Sequence, residues 1–288
     1  MKLIVGCGYL GSRVARLWQA RGVTVAVVTR SADRARQFQQ AGYLPVVADV
    51  TDAASLDRVR RLSDVDTVLY AVGYDRAAGK ARREVYVEGL GRVLDALPSS
   101  VQRFIYISTT GVYGQTDGSW IDEESSCDPA SEVGRMFLEA ESVLRGHSIA
   151  ARAIILRMAG LYGPGRIPRR EELIAGKPLA ADPDAYLNLI YVDDAARVVL
   201  AVENQVEPPR MYLVSDGHPV VRREYYAEAA RLLGAPSPVF AHKQDRGPSD
   251  ARGNTDKRVN NARLINEIGY QLQYSTYKQG LAASTGSS

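Results

Sequence analysis

A glycine-rich turn between a strand and a helix, at residues 3–13, constrains the fold of this chain most strongly. The segment reads LIVGCGYLGSR, so an apolar strand runs into Gly6, Gly8 and Gly11. Apolar residues then recur at helical spacing through Trp18. The pattern predicts a strand, a phosphate-binding turn and a helix, which together open a dinucleotide-binding unit.

Each glycine of this turn has a separate mechanical role. Gly6 permits the tight turn, Gly8 lets a pyrophosphate approach the backbone, and Gly11 lets the helix pack closely on the strand. The free N–H groups at the start of the helix face the phosphates. We therefore expect the turn, including Tyr9 and Leu10, to bind the cofactor. The alternative is an ordinary strand-to-helix turn.

The end of the second predicted strand, residues 23–28, indicates which dinucleotide is bound. It runs into Thr29, Arg30 and Ser31, where an acidic residue would normally hold the ribose hydroxyls of NAD. A guanidinium between two hydroxyls suits a 2′-phosphate instead, which favours NADP. NAD stays open as the cofactor, because the alternative is that Arg30 is a solvated residue that opens a basic helix.

Composition excludes several other classes of partner. The chain has 288 residues, of which 45% are hydrophobic and 24% charged, and its formal net charge is +3. This charge is too small to imply nucleic acid, and no apolar run reaches membrane-spanning length. With no signal-peptide pattern at the start, we expect a cytoplasmic protein that binds a small molecule. Cys7 and Cys127 are expected to be reduced thiols, and the histidines lack metal-ligand spacing.

Strand-like and helix-like segments alternate through the first half of the chain, which predicts a Rossmann-type α/β fold with a doubly wound parallel sheet. We assign a dinucleotide-binding domain to residues 1–160 and a smaller substrate-binding lobe to residues 161–288, with the chain able to cross between the lobes. A ligand is expected between them, at the carboxyl ends of the strands. The predicted strands are 2–5, 23–28, 44–48, 67–71, 103–108 and 153–157, and the predicted helices lie near 11–21, 31–41, 53–61, 80–96 and 131–145.

Several ordered motifs resemble the extended short-chain dehydrogenase/reductase superfamily. They are VGCGYLGSRVA at the start, ADVTD at 48–52, LYAVGY at 69–74, YISTTGVYG at 106–114, LRMAGLYGPGR at 156–166 and NLIYVDDAA at 188–196. The glycine motif and the C-terminal YSTYKQGLAA are similar to an atypical subgroup of epimerase/dehydratase-like proteins that use NAD(P).

The resemblance implies further contacts to the cofactor. Asp49 and Val50 would lie near the adenine, and Ala71, Val72 and Gly73 would line the cofactor beyond the fourth strand. Asp49 could equally cap the turn that follows it.

The resemblance also implies a catalytic hydroxyl. Thr109 matches the family's catalytic Ser/Thr, four residues before Tyr113, and would hydrogen-bond a substrate oxygen. The alternative is a threonine that satisfies backbone groups at the end of a strand. Tyr113 is more often a packing residue, although its phenol could contact substrate.

The family's Tyr-x-x-x-Lys pair is missing. Ser131 and Arg135 occupy the two positions, and neither can replace its counterpart, because a serine hydroxyl is far less acidic than a phenol and arginine stays charged. Tyr86 stands where relatives present an Asn, and it is either a compensating proton donor or an ordinary helix residue. Arg135 could hold ribose hydroxyls or pair with Glu139.

In the second lobe Arg166 is a candidate clamp for an anionic substrate, or else a solvated arginine. Asp193 and Asp194 are expected to open a helix rather than to act as paired catalytic carboxylates. The resemblance implies a homodimer formed through the helices near 80–96 and 131–145, whose apolar faces could equally pack inside one chain.

Together these features predict an NADP-binding oxidoreductase or epimerase/dehydratase-like enzyme with a degenerate Tyr-x-x-x-Lys site. Its substrate would be small, hydroxylated and nucleotide-sugar-like. Two alternatives remain: a non-catalytic NADP-binding redox sensor or partner-binding protein, and an epimerase that recycles a permanently bound cofactor.

Overall fold

The computed structural model describes residues 1–242, 244 and 255–286. The chain divides into two compact units, each built from separated segments. Unit one comprises Met1–Ser108, Met136–Leu156 and Ala196–Met211. Unit two comprises Thr109–Arg135, Arg157–Ala195 and the chain from Tyr212 onward.

The fold class predicted from the sequence is confirmed: a seven-stranded parallel sheet is flanked by helices. The strands of this sheet are β1 (Lys2–Val5), β2 (Val25–Thr29), β3 (Leu44–Val47), β4 (Thr67–Tyr70), β5 (Arg103–Thr109), β7 (Ala153–Met158) and β11 (Arg210–Val214). The strand order is β11-β7-β5-β4-β1-β2-β3. Strand β1 pairs in parallel with β2 on one side and with β4 on the other.

Helices connect these strands, and the first five along the chain lie at positions that the sequence predicts, although some are shorter. They are α1 (Gly11–Ala20), α2 (Ala32–Gln40), α3 (Asp57–Arg60), α4 (Gly89–Asp95), α5 (Glu132–Gly146) and α7 (Val192–Gln205). A π-helical turn, Glu84–Glu88, leads directly into α4. All six predicted strands exist, and the seventh, β11, is the one that sequence reasoning missed.

The core of unit one explains this architecture. Strands β2 and β4 are buried at every position, as expected for strands covered on both faces of a parallel sheet. Val85 and Leu90 from the Glu84–Asp95 segment, and Ala140 and Leu144 from α5, belong to one apolar cluster with them. These helices therefore pack much of their apolar surface inside the chain, and dimerisation stays a prediction.

Unit two has shorter elements and an aromatic core. Strand β6 (Thr116–Ile121) pairs in parallel with β13 (Asp256–Val259), and its remaining short strands are β8 (Gly160–Tyr162), β9 (Tyr186–Leu187), β10 (Leu189–Tyr191) and β12 (Val220–Val221). Its other helices are α6 (Arg170–Ile174), α8 (Arg222–Leu233), α9 (Ala262–Ile268) and α10 (Tyr277–Thr285). Tyr162, Tyr191 and Tyr225 pack in its apolar cluster, and edge-to-face contacts join Tyr162 to the other two rings.

Candidate dinucleotide and substrate sites

The glycine-rich turn follows β1 and requires glycine at two positions for steric reasons. Gly6 has φ of +97°, and a Cβ there would lie 2.5 Å from the carbonyl carbon and oxygen of Ala71. A Cβ at Gly11 would lie 2.5 Å from the carbonyl oxygen of Gly6. These glycines allow the turn to close against the chain after β4 and allow α1 to begin beside β1.

Gly8 has a different environment, because a Cβ there would meet no heavy atom within 4 Å. The space beside this residue is therefore open, at the point where α1 presents its first N–H groups. Behind the turn Leu10 is buried, while the Tyr9 ring lies 4.3 Å from the Arg13 guanidinium. An open backbone at the start of a helix fits a bound pyrophosphate.

Cys7 lies inside the same turn with its side chain buried. Burial raises the pKa of its thiol to about 11, while the Arg34 and Arg16 guanidinium groups act in the opposite direction. The side chain is therefore an uncharged thiol at neutral pH, and it places no negative charge in the turn. Both cysteines of the chain are free, as the sequence predicts.

The end of β2 places Arg30 in an ion pair with Asp75, at a distance of 2.9 Å between guanidinium nitrogen and carboxylate oxygen. Both side chains are about half exposed, at 45% and 51%. Arg30 is therefore neither buried in the core nor simply solvated. Because the pair is accessible to solvent, a stronger anion can compete for the guanidinium.

Ser31 and Arg34 fix the start of α2. The Ser31 side chain accepts a hydrogen bond from the Arg34 backbone N–H and caps the helix, while Thr29 Oγ1 accepts from the Ser31 N–H. The Arg34 guanidinium donates to the Cys7 carbonyl at 3.0 Å. Arg34 thus joins the helix after β2 to the glycine-rich turn, which places a second positive charge there.

The segment after β3 shows the turn-capping role that the sequence offers for Asp49. Its Oδ1 accepts hydrogen bonds from both the backbone N–H and the hydroxyl of Thr51, each at 2.8 Å. Val50 is buried, and a Cβ on Gly89 would lie 2.9 Å from its Cγ2. The adenine contacts of Asp49 and Val50 stay predictions, as do those of Ala71, Val72 and Gly73 after β4.

Thr109 ends β5 and lines a small cavity of about 50 Å³ within unit two. Its Oγ1 accepts a hydrogen bond from the Gly111 N–H at 3.0 Å, which is the backbone role expected of a threonine at a strand end. That bond uses an oxygen lone pair and not the hydroxyl hydrogen. The hydroxyl can therefore still donate to a ligand atom in the cavity.

Ser131 lines the same cavity, immediately before α5. Its Oγ accepts from the Gly134 N–H at 3.0 Å, so the residue in the position of the family tyrosine serves as a helix cap. The Arg135 guanidinium donates to the Pro129 carbonyl at 3.3 Å. The partner of Glu139 is Arg83, at 2.5 Å. Catalytic roles for Ser131 and Arg135 stay predictions.

Tyr86 lies in the π-helical turn of unit one. Its ring centroid is 4.8 Å from that of Phe137 and 6.2 Å from that of Tyr74, so the side chain packs among other aromatic groups. Such π-helical insertions occur frequently at functional sites. The packing agrees with an ordinary helix residue, and proton donation by Tyr86 stays a prediction.

Tyr113 occupies the core of unit two and is fully buried. Its hydroxyl donates to the Asp122 carbonyl at 2.9 Å and accepts from the Arg157 guanidinium at 2.6 Å. Burial raises the pKa of this phenol to about 12, although Arg157 acts in the opposite direction. This geometry favours the packing role over the predicted contact with substrate.

Arg166 ends a tight turn in which Gly163 and Arg166 exchange backbone hydrogen bonds. Its side chain is exposed, and its role as an anion clamp stays a prediction.

The structure confirms that Asp193 and Asp194 lie in the first turn of α7. Asp194 is completely buried and accepts hydrogen bonds from the Tyr270 hydroxyl and the backbone N–H groups of Gln273 and Tyr274. It therefore anchors the C-terminal segment.

Lys257 is the site residue that sequence reasoning missed. It lines the cavity of Thr109 and Ser131, is 6% exposed, and donates from Nζ to the Tyr113 carbonyl at 2.6 Å. Burial and, next, the Arg222 guanidinium lower the pKa of its ammonium group to about 8. Its sequence neighbours Asp256 and Arg258 make the segment read as a solvated charged strand, so no local pattern indicates its burial.

Within residues 1–242, 244 and 255–286, no group of three or more His, Cys, Asp or Glu side chains is placed to hold a metal ion. Nor does any helix among these residues combine the length and apolar character needed to cross a membrane.

Comparison with known proteins gives a consistent result. A model of the NAD dependent epimerase/dehydratase family matches residues 3–215. Protein YeeZ of Escherichia coli is 30% identical over 279 residues, which cover 94% of this chain and 95% of YeeZ.

Two solved structures extend the comparison. A conserved protein of unknown function from Silicibacter pomeroyi superposes with a TM-score of 0.82 and 28% identity, over 99% of this chain and 98% of that one. The UDP-glucose 4-epimerase of Thermus thermophilus, solved in complex with NAD, superposes with a TM-score of 0.80 over 99% of this chain and 98% of that one. At 20% identity, this second likeness shows the shared fold alone.

Proposed function

The chain belongs to the NAD dependent epimerase/dehydratase family, and from that membership we propose that it is an NADP-binding oxidoreductase or epimerase/dehydratase-like enzyme. Its substrate is a small hydroxylated molecule of the nucleotide-sugar class. The observation that carries the cofactor half of the proposal is the pair of guanidinium groups, Arg30 and Arg34, beside a glycine-rich turn with an open position at Gly8.

Unit one would hold the dinucleotide through its own backbone and charges. The N–H groups at the start of α1 bind the pyrophosphate. Arg30 exchanges Asp75 for the 2′-phosphate, with which a guanidinium makes paired, charge-assisted hydrogen bonds. When bound, the nicotinamide ring supplies or accepts a hydride at C4.

Unit two would supply the group that polarises the substrate. The Thr109 hydroxyl already accepts from the Gly111 N–H and retains its hydrogen for a carbonyl or alkoxide oxygen in the cavity. Stabilising developing charge on that oxygen is the electrostatic part of catalysis. Ser131 caps α5 beside it, and the exposed Arg166 binds an anionic part of the substrate.

The cofactor preference is tested by calorimetric titration of NADPH and NADH into the wild-type chain and into Arg30→Ala. We expect wild type to bind NADPH at least ~10-fold more tightly, and the variant to lose that preference with little change for NADH. Arg60→Ala, which removes a surface ion pair with Asp57 on α3, is the matched control. If wild type binds NADPH and NADH with equal affinity, and Arg30→Ala changes neither affinity, the NADP assignment is refuted.

One observation favours a second function, a redox sensor that binds NADP without catalysis. The Ser131 hydroxyl is engaged as a helix cap, and the Arg135 guanidinium, in the position of the family lysine, donates to the Pro129 carbonyl. Tight NADPH binding without turnover of any nucleotide sugar would favour the sensor. Nicotinamide retained in the purified protein, with no net absorbance change during turnover, would instead identify an epimerase that recycles its cofactor.

A further inference from the structure

Lys257 reaches the cavity of Thr109 because of the pleat of β13. Burial alternates along β13, where Lys257 and Val259 are buried and Asp256 and Arg258 are partly exposed, as expected for side chains on opposite faces of a strand. The Arg258 guanidinium lies 5.1 Å from the ring centroids of both Trp120 and Tyr186, and Trp120 is 52% exposed. Lys257 therefore points to the opposite, buried side.

The environment of Lys257 does not resemble that of a structural ion pair. A lysine is almost never this buried unless it is paired, yet among the residues that the structure describes its Nζ contacts a neutral carbonyl, that of Tyr113, and no carboxylate. The nearby charged group on α8 is Arg222, itself a cation, which donates to the Thr255 carbonyl at 2.6 Å. On the strand itself, the Asp256 carboxylate accepts from the Tyr186 N–H.

This environment lowers the cost of losing the proton. Burial and the neighbouring guanidinium both disfavour the ammonium form, in that order, and the pKa near 8 leaves both forms populated close to neutral pH. A group that titrates close to the working pH is the most effective proton-transfer catalyst.

The cavity brings this amine together with hydroxyl groups. Thr109, Ser131, Thr255 and Lys257 all line it, and its volume of about 50 Å³ admits a small polar group. Gly111 and Gly134 also line it, and glycine at 134 lets the start of α5 approach the Gly111 carbonyl, because a Cβ there would overlap that oxygen. Thr109 and Lys257 therefore line the same small volume.

We propose that Lys257 is the catalytic acid and base of this enzyme, and that it exchanges a proton with the substrate oxygen that Thr109 polarises. The proposal rests on the proposed function, because the hydrogen that leaves carbon needs the nicotinamide cofactor as its acceptor. Lys257, on β13, would thus perform the proton transfer that Ser131 and Arg135 cannot perform.

The chemistry balances in both directions. In oxidation, the substrate O–H bond breaks, its proton goes to the Nζ lone pair, the C=O bond forms, and the C–H hydrogen leaves with its electron pair to the nicotinamide. In reduction, a hydride adds to the carbonyl carbon and the ammonium group protonates the resulting alkoxide. The oxidative rate should therefore rise with pH through about 8, and the reductive rate should fall over the same interval.

A first test needs no turnover. Cyanate adds to neutral amines as isocyanic acid, forming a nitrogen–carbon bond while the amine proton moves to the reagent nitrogen. The chain has six lysines, and Lys177 is exposed. At pH 7 an amine with a pKa near 8 has a neutral fraction more than ~100 times that of an ordinary lysine. Because Lys257 is buried, cyanate reaches it less easily than an exposed lysine, so we expect at least a ~10-fold advantage in rate to remain.

We therefore expect peptide mapping of the folded chain to show Lys257 carbamylated at least ~10-fold faster than Lys177, with a rate that follows one titration near pH 8. A merely structural lysine, buried and charged, would react more slowly than Lys177. That slower reaction would overturn the proposal, whether or not a substrate has been found.

The second test uses Lys257→Arg, which keeps the charge and a donor toward the Tyr113 carbonyl but cannot release a proton. With NADP and a nucleotide sugar that wild type turns over, UDP-glucose being the first to try, we expect kcat to fall at least ~100-fold. NADPH affinity and melting temperature should stay unchanged, and Lys177→Arg should behave as wild type. Wild-type turnover and pH profile in Lys257→Arg would overturn the proposal, whereas failure of wild type to bind NADPH would refute the proposed function instead.

Discussion

Arg30 and Asp75 form an ion pair that joins the loops after β2 and β4, with 2.9 Å between the guanidinium nitrogen and the carboxylate oxygen. These two strands lie on either side of β1 in the sheet, and the glycine-rich turn follows β1. The pair therefore connects the two sides of the predicted dinucleotide site. Because both side chains are about half exposed, it contributes no more than ~1 kcal/mol to stability.

Removing the carboxylate should strengthen NADPH binding, because Arg30 then needs no exchange of partner. Asp75→Asn is the suitable variant, since Oδ1 also accepts from the Ala77 N–H and an amide oxygen preserves that bond. We expect the NADPH dissociation constant to fall ~2- to 5-fold and that of NADH to stay constant. Calorimetry at low salt measures both, and Asp57→Asn on α3 is the control. Equal effects on the two dinucleotides would contradict the role of Arg30.

Substitution of Gly8 should weaken cofactor binding without affecting the stability of the fold. Gly8→Ala meets no heavy atom, so its melting temperature should match wild type while its NADPH affinity falls at least ~10-fold, because the methyl group occupies the space of the pyrophosphate. Thermal unfolding without ligand, followed by calorimetry, measures both quantities. Unchanged NADPH binding in Gly8→Ala would place the phosphates elsewhere.

Gly6→Ala should instead destabilise the fold, since a positive φ combines with backbone overlap at Ala71. Gly22 also has a positive φ, of +74°, but its Cβ would meet nothing within 4 Å, so Gly22→Ala isolates the conformational cost of about 1 kcal/mol. We expect Gly6→Ala to lose clearly more free energy of unfolding than Gly22→Ala. Equal losses in urea titrations would show that the approach to Ala71 is unimportant.

Thr109 should tolerate serine but not valine. Serine keeps both the acceptor for the Gly111 N–H and a hydroxyl hydrogen for substrate, whereas valine removes both. We expect Thr109→Val to lower kcat ~100-fold or more and Thr109→Ser to lower it less than ~10-fold, by initial rates with the same nucleotide sugar. If Thr109→Val lowers the melting temperature but retains kcat, the residue has only its backbone role.

Asp216 should make stability depend on pH. It is buried, one carboxylate oxygen has no hydrogen-bond partner among the described residues, and burial raises its pKa to about 7 while the His218 N–H acts in the opposite direction. The ordinary pKa of an aspartate is 3.8, so the native state holds the extra proton between about pH 4 and 7. The free energy of unfolding should therefore fall as pH rises through that window, by up to ~4 kcal/mol.

Asp216→Asn should flatten this dependence and be more stable than wild type at pH 8, because the amide oxygen can still accept from the His218 N–H and no charge is buried. Urea unfolding at pH 5, 6, 7 and 8 measures the difference. Parallel pH profiles for the two proteins would assign the titration to another group.

Most of the sheet follows from the sequence because its strands are short apolar runs separated by helical periodicity. The missed strand, β11, lies beyond residue 160, where Gly/Pro-rich turns interrupt the pattern, and it directly follows one of these turns at Pro208 and Pro209. The π-helical turn at Tyr86 has no comparable signal, since its residues read as an ordinary amphipathic helix.

At the candidate sites, sequence reasoning identified the glycines and the cation after β2, but it assigned Arg30 no protein partner. Asp75 lies 45 positions further along the chain, on a different loop. Spacing rules describe neighbours along one strand or helix and cannot specify which two loops meet. The helix-capping bond of Ser131 has a different explanation, since Gly134 is only three residues away: the comparison of Ser131 with a catalytic tyrosine left its position at the start of α5 unused.

By itself the sequence determined the family, the alternation of strands and helices, and the position of the glycine-rich turn, because these are encoded in residues close together along the chain. Only the tertiary structure decided which lysine becomes buried beside Thr109. Lys257 and Tyr113 are 144 positions apart, and they meet because β13 pairs with β6. The burial that shifts the proton affinity of Lys257 exists only once that pairing has formed, since desolvation is a property of the folded surroundings rather than of the residue.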